Sequence, residues 1–230
     1  YEISECLVGS AMCIRDSGKT RESFNRYESG FMNPSLKVLY EFWENHYKAI
    51  STVNIAINQV EKSTELSEAK KELSLGELHF LRAYFYFDLC RLFGTVPLLT
   101  TSEPENVPRA TAEELYAQIA FDLKTAIEKL PSVKYSAANN SELGRATKWA
   151  AEALLARAYL FYTGYYQQES MPLPDNSTLS RTDVITYLDD CINNSGHDLI
   201  GDFRNLWLYS NVYTKKDYKY AQDNDLHWIG

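Results

Sequence analysis

Residues 72–98 read ELSLGELHFLRAYFYFDLCRLFGTVPL, the densest apolar and aromatic run in the chain. Leu78, Leu81, Phe85, Leu89 and Leu92 recur at steps of three and four, the spacing that lines side chains along one helical face. Phe80, Tyr84, Phe87 and Cys90 form a second stripe beside it. A helix apolar over so much of its circumference has to be packed on two sides. Gly94 supplies the residue best suited to a left-handed turn past a helix end, and Pro97 prevents any continuation. The stretch therefore predicts a long buried helix, an abrupt stop and an extended exit, VPLLT. On this reading Leu81 and Phe85 are core residues whose truncation to alanine leaves cavities.

Outward from that helix, the periodicity predicts further helices over residues 37–62, 111–130, 147–163 and 181–195. Trp43, Tyr47, Ile50, Val53 and Ile57 mark the inner face of the first. Thr111-x-x-Glu114 is a capping box, and Leu115, Ile119, Leu123, Ala126, Ile127 and Leu130 follow as a buried stripe. Thr147 caps WAAEALLARAYLFY, whose alanines permit close helix approach and whose stop is predicted at Gly164. Ser180-x-x-Asp183 repeats the capping pattern with aspartate. Residues 1–13 are predicted helical, and 14–36 read as a long irregular segment. No segment shows sustained alternation at period two, so no sheet is expected inside this stretch, loops included. The fold class is all-α: tetratricopeptide-like helix pairs forming an α-α superhelix, with long irregular loops.

Composition narrows the function classes. The chain has 230 residues, 45% hydrophobic and 23% charged, enough for a real core. Its net charge of −8 repels phosphate backbones, so no nucleic-acid partner is expected. Thirteen per cent of residues are aromatic, 17 of them Tyr, which reads as a Tyr-rich helical core or a surface that stacks on sugars or peptides. Four scattered cysteines form no CxxC pair, and Cys90 and Cys191 sit in apolar helical patterns as small core residues.

The search for chemistry is largely negative. Asp16-Ser17-Gly18-Lys19-Thr20 has Cys13 where a phosphate loop needs glycine. His46, His79, His197 and His227 form no metal spacing. Glu113-Glu114 and Asp189-Asp190 point about 100° apart on helices and read as solvated faces, not dyads. There is no GxSxG. No catalytic residue, cofactor or metal is expected. Asn139, Asn176 and Asn193 begin glycosylation-type triplets that read as loops. Arg82 and Arg91, inside the aromatic helix, read either as a ligand clamp or as guanidinium groups held by aromatic faces or a neighbouring acid, and the second is favoured.

Gly76-Glu77, Phe80-Leu81-Arg82-Ala83, Arg91-Leu92-Phe93-Gly94 and Val96-Pro97-Leu98 together resemble the signature of the SusD/RagB family. Trp43, Tyr47, Ile50 and Asn54 resemble its first paired helix. Arg109-Ala110-Thr111 with Asp122 and Leu130-Pro131 resembles the next, and Gly144-Arg145-Ala146-Thr147 with Ala153 to Leu160 the one after. The resemblance covers about 37–210. It implies a non-catalytic nutrient-binding subunit for a glycan or peptide, working with a SusC-like TonB-dependent transporter at the surface-exposed face of the outer membrane. The full-length protein would be lipid-anchored through a segment not present in this chain. Residues 1–230 would be a single helical N-terminal portion, with the C-terminal ligand-binding half absent. The opening Tyr1-Glu2-Ile3, with no initiator methionine, reads as processing or truncation.

Ligand contacts in that family follow no motif, so candidates come from the residues themselves. Arg26, Tyr27, Phe31 and Asn33 combine aromatic and polar groups on a loop, and Tyr165 and Tyr166 close the alanine-rich helix. A helical-repeat scaffold that binds only protein partners is the alternative reading.

Overall fold

The computed structural model describes residues 37–101, 107–134 and 144–199. Five helices carry the fold: α1 Lys37–Lys62, α2 Glu68–Phe93, α3 Ala112–Lys129, α4 Lys148–Tyr165 and α5 Arg181–Asn194. Each boundary lies within two residues of the sequence expectation. The reason is local chemistry at the ends. Thr111 accepts from Glu114 N–H and the Glu114 carboxylate returns to Thr111 N–H, closing the box. Ser180 and Asp183 do the same for α5. Thr147 accepts from Ala150 N–H. At the end of α2, Gly94 takes φ +72° and donates its N–H to the Cys90 carbonyl at 3.0 Å. A Cβ there would meet nothing within 4 Å, so backbone conformation alone asks for glycine.

The helices pack in sequence, α1 on α2, α2 on α3, α3 on α4 and α4 on α5. Helix α2 is thus covered on two sides, as its composition requires, but not by the stripe first read from the sequence. Of that stripe only Leu89 is buried; Leu81 is 39% exposed and Phe85 is half-buried. The inward face is His79, Arg82, Ala83, Tyr86 and Cys90, together with Phe87 and Leu89. The expectation of a core Leu81 is therefore corrected. Rotation of α2 is decided by polar residues that need buried partners, and the flanking leucines are left at the edge.

Those partners form one network. Arg82 donates from Nε to Asp122 Oδ2 at 2.8 Å and from Nη2 to Oδ1 at 2.7 Å. Its Nη1 reaches Asn54 Oδ1 at 2.9 Å. His79 Nδ1 lies 2.7 Å from Asp122 Oδ1; against a carboxylate acceptor that nitrogen carries the proton. Gln118 Nε2 donates to the same oxygen at 3.0 Å. Asp122 is fully buried, and these hydrogen bonds and the guanidinium charge outweigh desolvation, holding its carboxyl below the usual range. Arg82 is thus structural, as favoured. Arg91 stands 4.9 Å over the Phe87 ring and pairs with Asp88.

The exit strand completes the core. Val96 is buried and its carbonyl accepts from Ala110 N–H. Tyr47 OH donates to the Pro97 carbonyl at 2.7 Å, and Asn54 Nδ2 to the Leu99 carbonyl at 2.9 Å. Tyr86 OH donates to the Leu99 carbonyl and accepts from Leu99 N–H. Side chains of α1 and α2 thereby satisfy backbone groups that a sheet would otherwise pair.

Gly76 lets α2 pack tightly against the end of α3. A Cβ there would lie 3.0 Å from Lys129 Cβ and 3.1 Å from Leu130 Cγ. Gly76→Val is expected to lower unfolding free energy by about 1–3 kcal/mol through overpacking, read as a shift in the urea midpoint.

Two expectations differ from the structure. Helix α4 runs through Gly164 to Tyr165, and the left-handed turn falls at Gln167 with φ 54°. In the last turn the Thr163 hydroxyl donates to the Tyr159 backbone carbonyl at 2.9 Å. A small antiparallel hairpin also appears: β1 Met171–Pro172 pairs β2 Thr178–Leu179, Met171 opposite Leu179. Strands of two residues are too short to show alternation in sequence.

Candidate functional site

The hairpin is anchored by apolar residues and presents a polar tip. Met171, Leu173 and Leu179 are buried, and β1 packs on α3 and α4. Leu173 N–H donates to the Ser177 carbonyl at 2.9 Å, and Asn176 N–H to the Leu173 carbonyl at 3.1 Å. Asn176 takes φ 64°, a conformation asparagine tolerates better than most side chains. Asp175 Oδ1 accepts from Ser177 N–H and Oγ–H, which holds its carboxyl below the usual range.

Between this tip and the first turns of α3 lie two adjoining clefts, each of about 390 Å³. They share Glu113, Pro172 and Thr178. Gln118 and Asn176 line the inner cleft, and Tyr162 and Tyr166 line the outer. A third cleft, beyond the tip, is bordered by Phe121, Lys124 and Asp175.

The aromatic wall is part of a continuous cluster. Tyr116 is fully buried, with ring centroids 4.8 Å from Tyr162 and 5.8 Å from Tyr166. Tyr166 meets Tyr162 at 5.4 Å and Tyr165 edge-on at 4.9 Å. Tyr165 stacks on Phe161 at 5.4 Å and is 71% exposed. Burial raises the phenols of Tyr116, Tyr162 and Tyr166 above the ordinary value, so all three are neutral. Tyr159 OH fixes the following loop by donating to the Glu169 carbonyl at 3.0 Å.

Of the residues proposed from sequence, Tyr165 and Tyr166 are brought together, with Tyr166 on the cleft wall and Tyr165 just outside it. Arg26, Tyr27, Phe31 and Asn33 lie outside the described residues. Glu113, Gln118 and Asn176 were not proposed as site residues. Glu113 looked like a solvated face, and Asn176 only a loop residue. The signal that could have found them is the adjacency of a capped helix start to a Pro-bounded turn, which is visible only once the hairpin is folded back.

Glu114, beside Glu113, is committed to its cap, and hydrogen bonds from Thr111 lower its carboxyl pKa. Glu113 is exposed and makes no catalytic pairing with it. Among the described residues there is no group of three or more His, Cys, Asp or Glu able to hold a metal. No described helix is long and apolar enough to cross a membrane. What remains is an open, polar cleft with a tyrosine wall, suited to holding a hydroxyl-rich ligand by stacking and hydrogen bonds.

Residues 18–160 match the SusD-like family described as starch-binding and associating with the outer membrane. A SusD-like protein of Bacteroides ovatus is 31% identical over 175 residues, covering 74% of this chain and 30% of that protein. A SusD-like protein from Bacteroides fragilis has a crystal structure with TM-score 0.55 and 32% identity, covering 70% of this chain and 28% of its own. A crystal structure with xylogluco-oligosaccharide has TM-score 0.59 and 28% identity, covering 75% of this chain and 33% of its own. The chain thus spans about a third of the length of the proteins it matches. With a family match over more than half its length and the shared helical scaffold, this chain belongs to the SusD-like family.

Proposed function

We propose that the chain is part of a non-catalytic glycan-capturing subunit at the outer-membrane surface. It works beside a SusC-like TonB-dependent transporter, in a protein held to the membrane by a lipid anchor. The observation that supports it most directly is the tyrosine-walled cleft on a scaffold shared with a structure holding xylogluco-oligosaccharide. A sugar ring presents an apolar face to Tyr166 and hydroxyl groups to the polar rim. A peptide ligand is the less favoured occupant, because the cleft is open and shallow and offers no deep apolar pocket for a side chain.

Gel retardation in polysaccharide-containing native gels tests this. The chain should be retarded by at least one glycan. Tyr166→Ala should weaken that binding about three- to tenfold, the scale of one aromatic contact. Tyr165→Ala, at an exposed position, should weaken it less while leaving the thermal midpoint unchanged. Absence of retardation by every glycan tried would remove this cleft as the place where the glycan is held.

A further inference from the structure

Building on the glycan-binding reading, we infer that the cleft between α3 and the hairpin selects uncharged oligosaccharides and rejects uronate and sulfated ones. The argument starts from what the cleft offers. Its two chambers carry the exposed Glu113 carboxylate, the capped Glu114 carboxylate and the Gln118 amide beside hydroxyl and amide groups such as Thr178 and Asn176, and their charged groups are both negative. Gln118 has its nitrogen drawn to the buried Asp122 at 3.0 Å, which leaves its carbonyl oxygen for whatever occupies the cleft. Hydroxyl groups donate to such oxygens. Carboxylate and sulfate groups cannot, and they carry the same charge as the glutamates.

Among the described residues, no lysine, arginine or histidine lines either chamber. Lys124 borders the separate third cleft, where it acts on Asp175 and Asp183. A helix start can attract anions, and the cleft does lie at the first turns of α3. Here that attraction is already answered within the chain. Glu113 and Glu114 both sit in the first turn, and the capping box occupies the N–H groups of Thr111 and Glu114. The chain's net charge of −8 adds to the exclusion of polyanions.

The test is retardation of the whole chain by uncharged polysaccharides (a glucan, a xylan, a mannan) and by anionic ones (a polyuronate, a sulfated galactan), at low and high salt. The expected result is retention by an uncharged polymer only, little affected by salt. Glu113→Lys should weaken that retention about tenfold and introduce salt-sensitive retention by the anionic polymers. Glu113→Gln should weaken it less and introduce none. Circular dichroism melts identical to the parent would show that each variant folds. Retention of the parent by a polyuronate or sulfated polymer would overturn the inference while leaving glycan binding in place. Retention by an uncharged polymer that Glu113→Lys does not alter would overturn it too, by placing binding elsewhere. Retention by no polymer at all would remove this cleft as a glycan site, and the selectivity with it.

Discussion

Replacing Asp122 with asparagine is expected to lower unfolding free energy by about 3–5 kcal/mol, the cost of breaking a buried ion pair from one side. Asp122 is fully buried and receives both arms of the Arg82 guanidinium, the His79 ring and the Gln118 amide. An amide keeps the shape but not the charge. It leaves Arg82, itself 4% exposed, buried without a counter-ion, and turns a donor toward other donors. Urea denaturation of the parent, Asp122→Asn, Arg82→Met and the double variant Asp122→Asn/Arg82→Met measures this. The double variant should lose less than the sum of the singles, because it removes the stranded charge. If Asp122→Asn cost under about 1 kcal/mol, the scale of an exposed pair, the network would not be buried as described. The pH dependence has a definite sign. The folded-state pKa of Asp122 is depressed, so its contribution is present above the unfolded value of about 3.9 and is lost as pH falls through the lower folded value.

Glu152 should produce the opposite slope in a different window. It is fully buried on α4, and neither carboxyl oxygen has a hydrogen-bond partner. Lys148 Nζ is 3.5 Å away, but that ammonium lies 2.5 Å from Asp190 Oδ2 on α5 and serves it first. Burial pushes the Glu152 pKa up to about 7, Lys148 offsetting part of the shift and Asp190 adding to it. The folded state therefore holds this proton more tightly than the unfolded chain, whose glutamate titrates near about 4.3. Its contribution is fully present below that unfolded value and lost as pH rises to about 7. Allowing for the nearby ammonium, the loss is on the order of 2–3 kcal/mol, at 1.36 kcal/mol per pKa unit. Glu152→Met should be more stable than the parent at pH 8 by a similar amount, and the gap between the two should widen from pH 5 to 8. Equal slopes for parent and variant would show that Glu152 finds solvent or a partner. Asp122 does not confuse the comparison, since it is ionised throughout that range.

These two acids also show what the sequence could and could not disclose. Helix limits were legible because Thr111, Thr147, Ser180 and Gly94 act within a turn of where they stand. The buried stripe of α3 was legible because Leu115, Ile119, Leu123 and Ala126 are apolar and evenly spaced. Asp122 falls on that same face, and an acid there is a sign that a cation must come to it. Arg82 on α2 is the cation, but nothing local says which helix will meet which. The inward face of α2 was misjudged for that reason. Leucines were assigned to the core, while His79, Arg82 and Tyr86 took the place facing α3 and the exit strand. Glu152 was invisible because glutamate in an alanine-rich helix looks solvent-facing until α5 is laid over it. The cleft needed the hairpin, whose two-residue strands carry no period. The family, by contrast, was legible because several motifs follow in order, from Trp43 and Asn54 through the run between Gly76 and Leu98 to Gly144–Leu160.

The Arg82 network has one further consequence, for how the protein comes apart. Its members come from three helices: Asn54 on α1, His79 and Arg82 on α2, and Gln118 and Asp122 on α3. Removing any one helix strands a polar group in the interior, so partial opening of this trio carries nearly the cost of opening all of it. Helix α5 is tied more lightly, by the partly exposed Lys148–Asp190 pair to α4. It buries only Val184 within its own length and rests on α4. Amide protons of α1 to α3 should therefore exchange together, as one cooperative block, while those of α5 exchange earlier and on their own.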